Sequence, residues 1–232
     1  MNILFINPPG EISFVSPPLG ILYVASSLKK DCHQIFVLDY NLEKIDNQRL
    51  SDFIKEKKIE VVGISIVTPK VCDAMKLADY IKKQFPNIII IAGGPHATLM
   101  PENLLKECPA FDFVIQGEGE IRMRNLVKNI KNKEEAKKID GIAFWENGRI
   151  VNNPARGYIE DLNALSPPAR DLIDILKYSR HLKTNFFPAA TMMTSRGCPF
   201  SCIYCSKPVT GLKLRSVSPE NVIKEIDSLV KD

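Results

Sequence analysis

The first half of the chain contains five short, continuously apolar runs, at residues 3–6, 35–38, 61–64, 88–91 and 113–115. Apolar runs without alternation are typical of strands that are buried on both faces of a parallel sheet. Between the runs, apolar residues recur every three or four positions, as at Leu77, Ala78 and Ile81, which predicts helices with one apolar stripe. Further helices are predicted over residues 19–30 and 48–57. This order predicts an α/β fold with a doubly wound, five-stranded parallel sheet.

The second half of the chain predicts a hairpin, a connector and one strand–helix unit. Two apolar runs, at residues 142–145 and 150–151, flank Asn147 and Gly148, a pair that favours the tight turn of a hairpin. A proline-rich connector with a short helix at residues 171–178 follows, and then a strand at residues 191–194. Ser218 and Pro219 have the character of a helix cap and first-turn residue. We therefore divide the chain into residues 1–138, 139–190 and 191–232.

Small and polar residues follow four of the predicted strands where each strand ends. These segments are Asn7-Pro8-Pro9-Gly10, Ser65-Ile66-Val67-Thr68-Pro69, Gly93-Gly94-Pro95-His96 and Gly117-Glu118-Gly119-Glu120. Open α/β sheets bind ligands beyond the carboxyl ends of their strands, and glycine lets the backbone approach a ligand closely. Each segment alone is typical of a tight strand-to-helix turn, but four on one edge favour a binding crevice. A dinucleotide is disfavoured, because no Gly-x-Gly-x-x-Gly follows the first strand.

Composition and charge narrow the class of protein. With 45% hydrophobic and 25% charged residues among 232, the chain has the composition of a globular domain rather than of a disordered one. A net charge of +4 is too small and too dispersed to predict nucleic-acid binding. The apolar runs are of strand length, so no membrane span is expected. Without a secretory leader at the N-terminus, a cytoplasmic location is expected.

Three of the six cysteines, Cys198, Cys202 and Cys205, lie within one eight-residue segment. Thiolates are soft ligands, and iron–sulfur clusters are normally held by four of them. A loop with three cysteines and no further cysteine after it predicts a cluster with one iron left open. An open coordination position is what catalytic metal sites keep.

Zinc and disulfide interpretations of this loop are weaker. A structural zinc site usually takes two close ligand pairs, and this chain has no second pair. A disulfide is unexpected in a reducing compartment. Zinc or uncoordinated structural cysteines nevertheless stay open as alternatives, while Cys32, Cys72 and Cys108 are expected to be ordinary packed side chains.

The segment Cys198-Pro199-Phe200-Ser201-Cys202-Ile203-Tyr204-Cys205 matches the pattern Cys-x-x-x-Cys-x-aromatic-Cys. In this it resembles the radical S-adenosylmethionine (SAM) superfamily. The resemblance implies that the three cysteines bind a 4Fe–4S cluster and that SAM binds its fourth iron. It further implies that Tyr204 lies against the adenine of SAM; the alternative is a half-buried loop aromatic. The last part of the chain would then be the first βα unit of a partial (β/α) barrel.

The first half resembles the Rossmann-like, cobalamin-binding domain that precedes the barrel in one class of these enzymes. The similarity lies in residues 16–23, 62–65, 93–96 and 117–120. It implies cobalamin as a cofactor, held by Ser65, Thr68, Gly93, Gly94 and His96, with Gly117 and Glu118 as further contacts. For His96 the alternative is a turn or cap residue, and for Glu118 a solvated surface carboxylate.

Cobalamin domains that ligate cobalt with histidine carry Asp-x-His-x-x-Gly after the first strand. That motif is absent here, so no protein imidazole on the cobalt is expected.

These resemblances imply a cytoplasmic radical SAM enzyme, or its N-terminal part, with cobalamin as second cofactor. The reduced cluster would cleave SAM to a 5′-deoxyadenosyl radical that abstracts a hydrogen atom, and cobalamin would deliver a methyl group or assist a related reaction. A reductant such as flavodoxin or ferredoxin is implied, and the substrate is unknown. Since few residues follow Cys205, we expect the chain to be incomplete for turnover. The alternatives are a corrinoid-binding module, or an inactive fragment without radical chemistry.

Overall fold

All five apolar runs form parallel strands of one sheet in the computed structural model, which describes residues 1–10, 15–179, 189–206, 209 and 211–231. The strands are β1 (Asn2–Asn7), β2 (Gln34–Asp39), β3 (Val61–Ser65), β4 (Ile89–Gly93) and β5 (Phe113–Ile115). Their spatial order is β2-β1-β3-β4-β5. In a sheet of this order the connections diverge on either side of β1 and β3, which places a ligand crevice at that point.

Helices cover both faces of the sheet, which confirms the doubly wound fold. They are α1 (Leu19–Lys29), α2 (Asn47–Glu56), α3 (Val71–Gln84), α4 (Pro95–Leu99), α5 (Pro101–Glu107), α6 (Gly119–Asn129) and α7 (Lys133–Ala136). Alternate residues of β1 lie on opposite faces of the sheet. Ile3 and Phe5 pack in the core with α1 and α6, whereas Leu4 and Ile6 pack in the core with α2, α3 and α5. In the described part of the chain, no helix has the length and apolar character needed to cross a membrane.

The predicted hairpin is confirmed and extends the sheet. Its strands are β6 (Ile142–Glu146) and β7 (Arg149–Asn153), and β6 pairs antiparallel with β5. Asn147 and Gly148 at its turn both have positive φ, at 49° and 74°, as a primed hairpin turn requires. The sheet therefore has seven strands, two more than the sequence predicts, because the hairpin covers the edge that β5 would otherwise leave unpaired.

The last part of the chain differs from prediction in two places. The expected strand at residues 191–194 is wrong: β8 is Ser195–Arg196, paired antiparallel with β9 (Arg215–Ser216). The strand starts later than predicted: of residues 191–194, Thr194 lies beside the β8–β9 pair, where its carbonyl accepts a hydrogen bond from the Val217 N–H at 2.8 Å. The helix expected at residues 171–178 is divided into a 3-10 turn (Arg170–Leu172) and α8 (Ile175–Ser179), because the backbone at Ile173 is extended.

The predicted C-terminal helix is confirmed as α9 (Pro219–Lys231). Ser218 precedes it, and its Oγ accepts a hydrogen bond from the Asn221 N–H at 3.4 Å, as expected of a cap. Part of the predicted connector, residues 180–188, lies outside the described residues.

Gly63 allows Phe5 to fill the core under α1. A Cβ on Gly63 would lie 2.6 Å from two ring carbons of Phe5. We expect Gly63→Val to lower the free energy of unfolding by about 1–3 kcal/mol, since overpacking forces neighbouring side chains from their rotamers. Urea unfolding measures this. Gly20→Ala is the control, because its Cβ would meet nothing within 4 Å; equal midpoints for both variants would contradict the packing described.

Candidate functional site

A cavity of about 630 Å³ lies at the carboxyl edge of the sheet, on the face covered by α1 and α6. One side is formed by the ends of β3, β4 and β5 together with α1 and the start of α6. The other side is formed by residues that surround the cysteine loop. The lining residues of that second side are Met193, Ser195, Arg196, Gly197, Cys198, Cys205 and Val209. The turns after the strands and the cysteine loop, which are far apart in sequence, therefore line the same cavity.

Glycines form the floor of the cavity. Gly93 leaves open space, since a Cβ there would meet nothing within 4 Å. At Gly94 the backbone conformation requires glycine, because φ is +91° and a Cβ would lie 2.9 Å from the backbone N and O of Ile66. Gly117 also has a positive φ, at +68°. A large flat ligand can thus approach the ends of β4 and β5 closely, which fits cobalamin.

The residues predicted to contact cobalamin fall into two places. Ser65, Gly93, Gly94, Gly117 and Glu118 line the cavity.

Thr68 and His96 are not among the lining residues: Thr68 begins a 3-10 helix (Thr68–Lys70) after β3, and His96 lies in α4. The Nδ1 of His96 lies 3.2 Å from the Oγ1 of Thr68. Their predicted contact with the cofactor stays a prediction.

The cysteine loop presents three free thiols. Cys198 is half-buried, and Cys202 and Cys205 are exposed. Two of the three, Cys198 and Cys205, line the cavity. Tyr204 is 89% exposed and is not among the lining residues, so it is not the half-buried aromatic of the alternative interpretation.

The three thiols lie in one loop but are not close enough together to bind a common metal ion. Throughout the described ranges, no three His, Cys, Asp or Glu side chains lie close enough together to hold a metal ion. The donor chemistry nevertheless fits an iron–sulfur cluster, because all three thiols are free and soft. Binding requires the loop to close around the cluster, and the assignment of the three cysteines as ligands stays a prediction.

Two acidic and two basic side chains join the sheet edge to the base of the cysteine loop; we call them the edge cluster. Arg215 Nη1 donates to both carboxylate oxygens of Glu118, at 2.9 Å each. Arg196 donates to Glu118 at 3.3 Å and to Glu120 at 2.6 Å. The side chains of Glu118, Arg196 and Arg215 are only 8%, 12% and 2% exposed. Glu118 is thus a buried, paired carboxylate, and the expectation of a solvated one is wrong.

Electrostatics favour the charged forms of Glu118 and Arg196. Burial by itself would raise the pKa of Glu118, but the hydrogen bond from Arg215, the N–H of Ile159 and the charge of Arg196 together lower that pKa below its usual value. Burial would lower the pKa of Arg196, and the two carboxylates more than reverse this. Removing one partner of a buried ion pair typically costs about 3–5 kcal/mol. The arrangement is therefore sensitive to the loss of any one of these charges.

Sequence analysis missed Arg196, Arg215 and Glu120. Arg196 also lies over the ring of Tyr23 on α1, with its Cζ 5.0 Å from the ring centroid. A signal was present in the sequence: an acidic turn follows β5, and basic residues flank the cysteine segment. Opposite charges at two candidate sites indicate that the sites meet, but the spacing along the chain does not identify the pairs.

Comparison with known proteins identifies the family. A family model described as the B12 binding domain matches residues 10–127, which is half of the chain. The chain belongs to this family.

Two curated relatives match over almost the whole chain. The chain is 35% identical to "Uncharacterized methyltransferase PH0819" of Pyrococcus horikoshii, over 99% of the chain and 50% of that protein. It is 30% identical to an anaerobic magnesium-protoporphyrin IX monomethyl ester cyclase of Rubrivivax gelatinosus, over 100% of the chain and 43% of that protein. The chain thus spans about half the length of the curated relatives it matches.

A solved structure confirms the fold. The cobalamin-dependent S-adenosylmethionine radical enzyme OxsB, with aqua-cobalamin and S-adenosylmethionine bound, superimposes with a TM-score of 0.82 at 20% identity. The match covers 99% of this chain and 31% of OxsB. The similarity therefore includes the cysteine loop and α9 as well as the sheet.

Proposed function

We propose that the chain acts as the cofactor-binding part of a cobalamin-dependent radical SAM methyltransferase. The single observation that carries the proposal is the shared cavity: the glycine turns of the sheet and two of the three cysteines, Cys198 and Cys205, line the same space. A corrin on the glycine floor would face a cluster held by the loop. Two cofactors that exchange a methyl group or an electron need this proximity.

The residues divide into two sets. Ser65, Gly93, Gly94 and Gly117 would support the corrin, as the open space at Gly93 allows. Cys198, Cys202 and Cys205 would hold the cluster, with Tyr204 beside the adenine of SAM. When bound, the cluster supplies the electron that cleaves SAM, and cobalamin carries the methyl group.

The cavity is also lined by apolar side chains. Ile21, Val24 and Met123 give the cavity apolar walls, which exclude water from the space between the cofactors.

Methyl transfer is supported by the names of relatives. Besides the methyltransferase of P. horikoshii, they include "Cobalamin-dependent radical SAM methyltransferase TokK" of Streptomyces tokunonensis, 27% identical over 78% of this chain and 26% of that protein. The cyclase of R. gelatinosus shows that another outcome occurs among relatives. The reaction also needs a one-electron donor, for which a flavodoxin or ferredoxin is the chemical class that fits.

Anaerobic reconstitution of the 232-residue chain tests the proposal. The protein is incubated with iron, sulfide and hydroxocobalamin, desalted, and analysed for iron and cobalt and by absorption spectroscopy. We expect both metals to stay bound, and the electron paramagnetic resonance (EPR) signal of the reduced cluster to change when SAM is added. Retention of cobalt without iron would favour the corrinoid-binding module instead. Loss of both metals on desalting, or no response to SAM, would contradict the proposal.

A further inference from the structure

The base of the cysteine loop is a very short antiparallel pair. β8 and β9 contribute two residues each, with Ser195 opposite Ser216 and Arg196 opposite Arg215. An isolated two-stranded hairpin is at best marginally stable in water, even when it is longer than this. Two further backbone bonds flank the pair: the Cys198 N–H donates to the Gly211 carbonyl at 3.1 Å, and the Val217 N–H donates to the Thr194 carbonyl at 2.8 Å. The base therefore depends on side-chain contacts with the rest of the protein.

The pairing of Arg196 with Arg215 places two like charges directly opposite each other. Opposite residues of an antiparallel pair share one face, and like charges there destabilise the pair. Both guanidinium groups are largely withdrawn from water, at 12% and 2% exposure, so solvent screens their repulsion poorly. Unless an anion lies between them, the two strands are pushed apart.

Glu118 is that anion. Its carboxylate accepts hydrogen bonds from both arginines, at 2.9 Å from Arg215 and 3.3 Å from Arg196. Glu120 adds a second negative charge on Arg196 alone, at 2.6 Å. Glu118 lies in the turn after β5 and Glu120 in the first turn of α6, both on the opposite side of the cavity from the loop. The charge that allows β8 and β9 to pair is therefore supplied by the sheet.

We propose that Glu118 is a positioning residue, which closes the base of the cysteine loop against the cavity by neutralising Arg196 and Arg215 together. Cys198 follows Arg196 by two positions, so the location of its thiol at the cavity depends on this contact. The loop would then be fixed only while it is docked on the sheet. The inference rests on the proposed function only in that this loop is the one proposed to hold the cluster.

Thiol reactivity of the metal-free protein tests the proposal. In wild type, Cys198 is half-buried. We expect Glu118→Gln to raise the rate of Cys198 alkylation by iodoacetamide about tenfold or more, because the two buried guanidinium groups are then left with only Glu120, which contacts Arg196 alone, to neutralise them. Peptide mass spectrometry measures the rate at each cysteine. The matched control is Glu102→Gln, at a carboxylate that pairs with Lys106 at the surface and lies 3.9 Å from it; its rate should equal that of wild type.

A second variant separates charge neutralisation from a merely structural contact. The double variant Glu118→Gln, Arg215→Gln removes both the neutralising carboxylate and one of the two repelling guanidinium groups. The alkylation rate should therefore fall back toward that of wild type. If Glu118→Gln does not fold, folded protein recovered in the double variant supports the proposal, and failure to recover it contradicts the proposal. Wild-type reactivity in Glu118→Gln would also contradict it. Since no cofactor is present, these outcomes are independent of whether iron or cobalamin binds.

Discussion

Replacing Cys202 with alanine is expected to remove most of the iron that the chain takes up under anaerobic reconstitution. A 4Fe–4S cluster depends on its thiolate ligands, and with three in this loop the loss of one leaves too few to retain it. Iron per chain and the absorption of the cluster measure the effect.

Cys72→Ala is the matched control. Contrary to the expectation of a packed side chain, Cys72 is an exposed free cysteine, and it lies on α3, outside the cavity. The variant should bind as much iron as wild type. Equal iron in the two variants would show that the bound iron does not depend on the loop, and would remove the basis for the cluster.

Gly93→Leu should weaken corrin binding without unfolding the protein. Gly93 lines the cavity and a Cβ there would meet no atom within 4 Å, so the side chain would extend into the space proposed for the corrin. We expect the Kd for hydroxocobalamin to rise about tenfold or more, equivalent to roughly 1.4 kcal/mol. Absorbance titration measures the affinity, and thermal unfolding shows whether the protein is otherwise intact.

Gly93→Ala provides a graded control with a smaller loss of affinity. Gly94→Ala should behave differently, because its positive φ and close approach to Ile66 make it a destabilising change of the backbone. Unaltered corrin affinity in Gly93→Leu would place the corrin elsewhere.

The central strands could be predicted from the sequence because each is encoded locally. Five continuous apolar runs gave five parallel strands, since a strand covered by helices on both faces needs apolar residues at every position. The hairpin was also local, from Asn147 and Gly148. The position of the hairpin at the edge of the sheet could not be predicted from a local pattern, because its pairing with β5 depends on which strand edge is free in the folded sheet.

In the candidate site, too, the features encoded by a local pattern could be predicted, and those that depend on distant contacts could not. The cysteine segment is a local pattern and was recognised from its spacing. The partners of Glu118 are 78 and 97 residues away in sequence, so a carboxylate that resembles a solvated turn residue is buried between two arginines. The strand expected at residues 191–194 failed for a related reason: a strand exists only where it pairs with a neighbour, and in this part of the described chain the pairing begins at Ser195.

The shared cavity relates these findings to each other. Residues of the sheet edge make the floor, the cysteine loop lies opposite, and the edge cluster joins the two at the rim. Cofactors bound on the two sides must then be close together, which neither half of the chain predicts by itself.

EPR of the chain loaded with both cofactors can detect that proximity. Spin relaxation of Co(II) cobalamin is recorded with the iron–sulfur cluster oxidised and then reduced, and Cys202→Ala serves as the sample without a cluster. We predict faster cobalt relaxation when the cluster is reduced and no change in the variant. An identical relaxation rate in both redox states of the fully loaded protein would contradict a common cavity for the two cofactors.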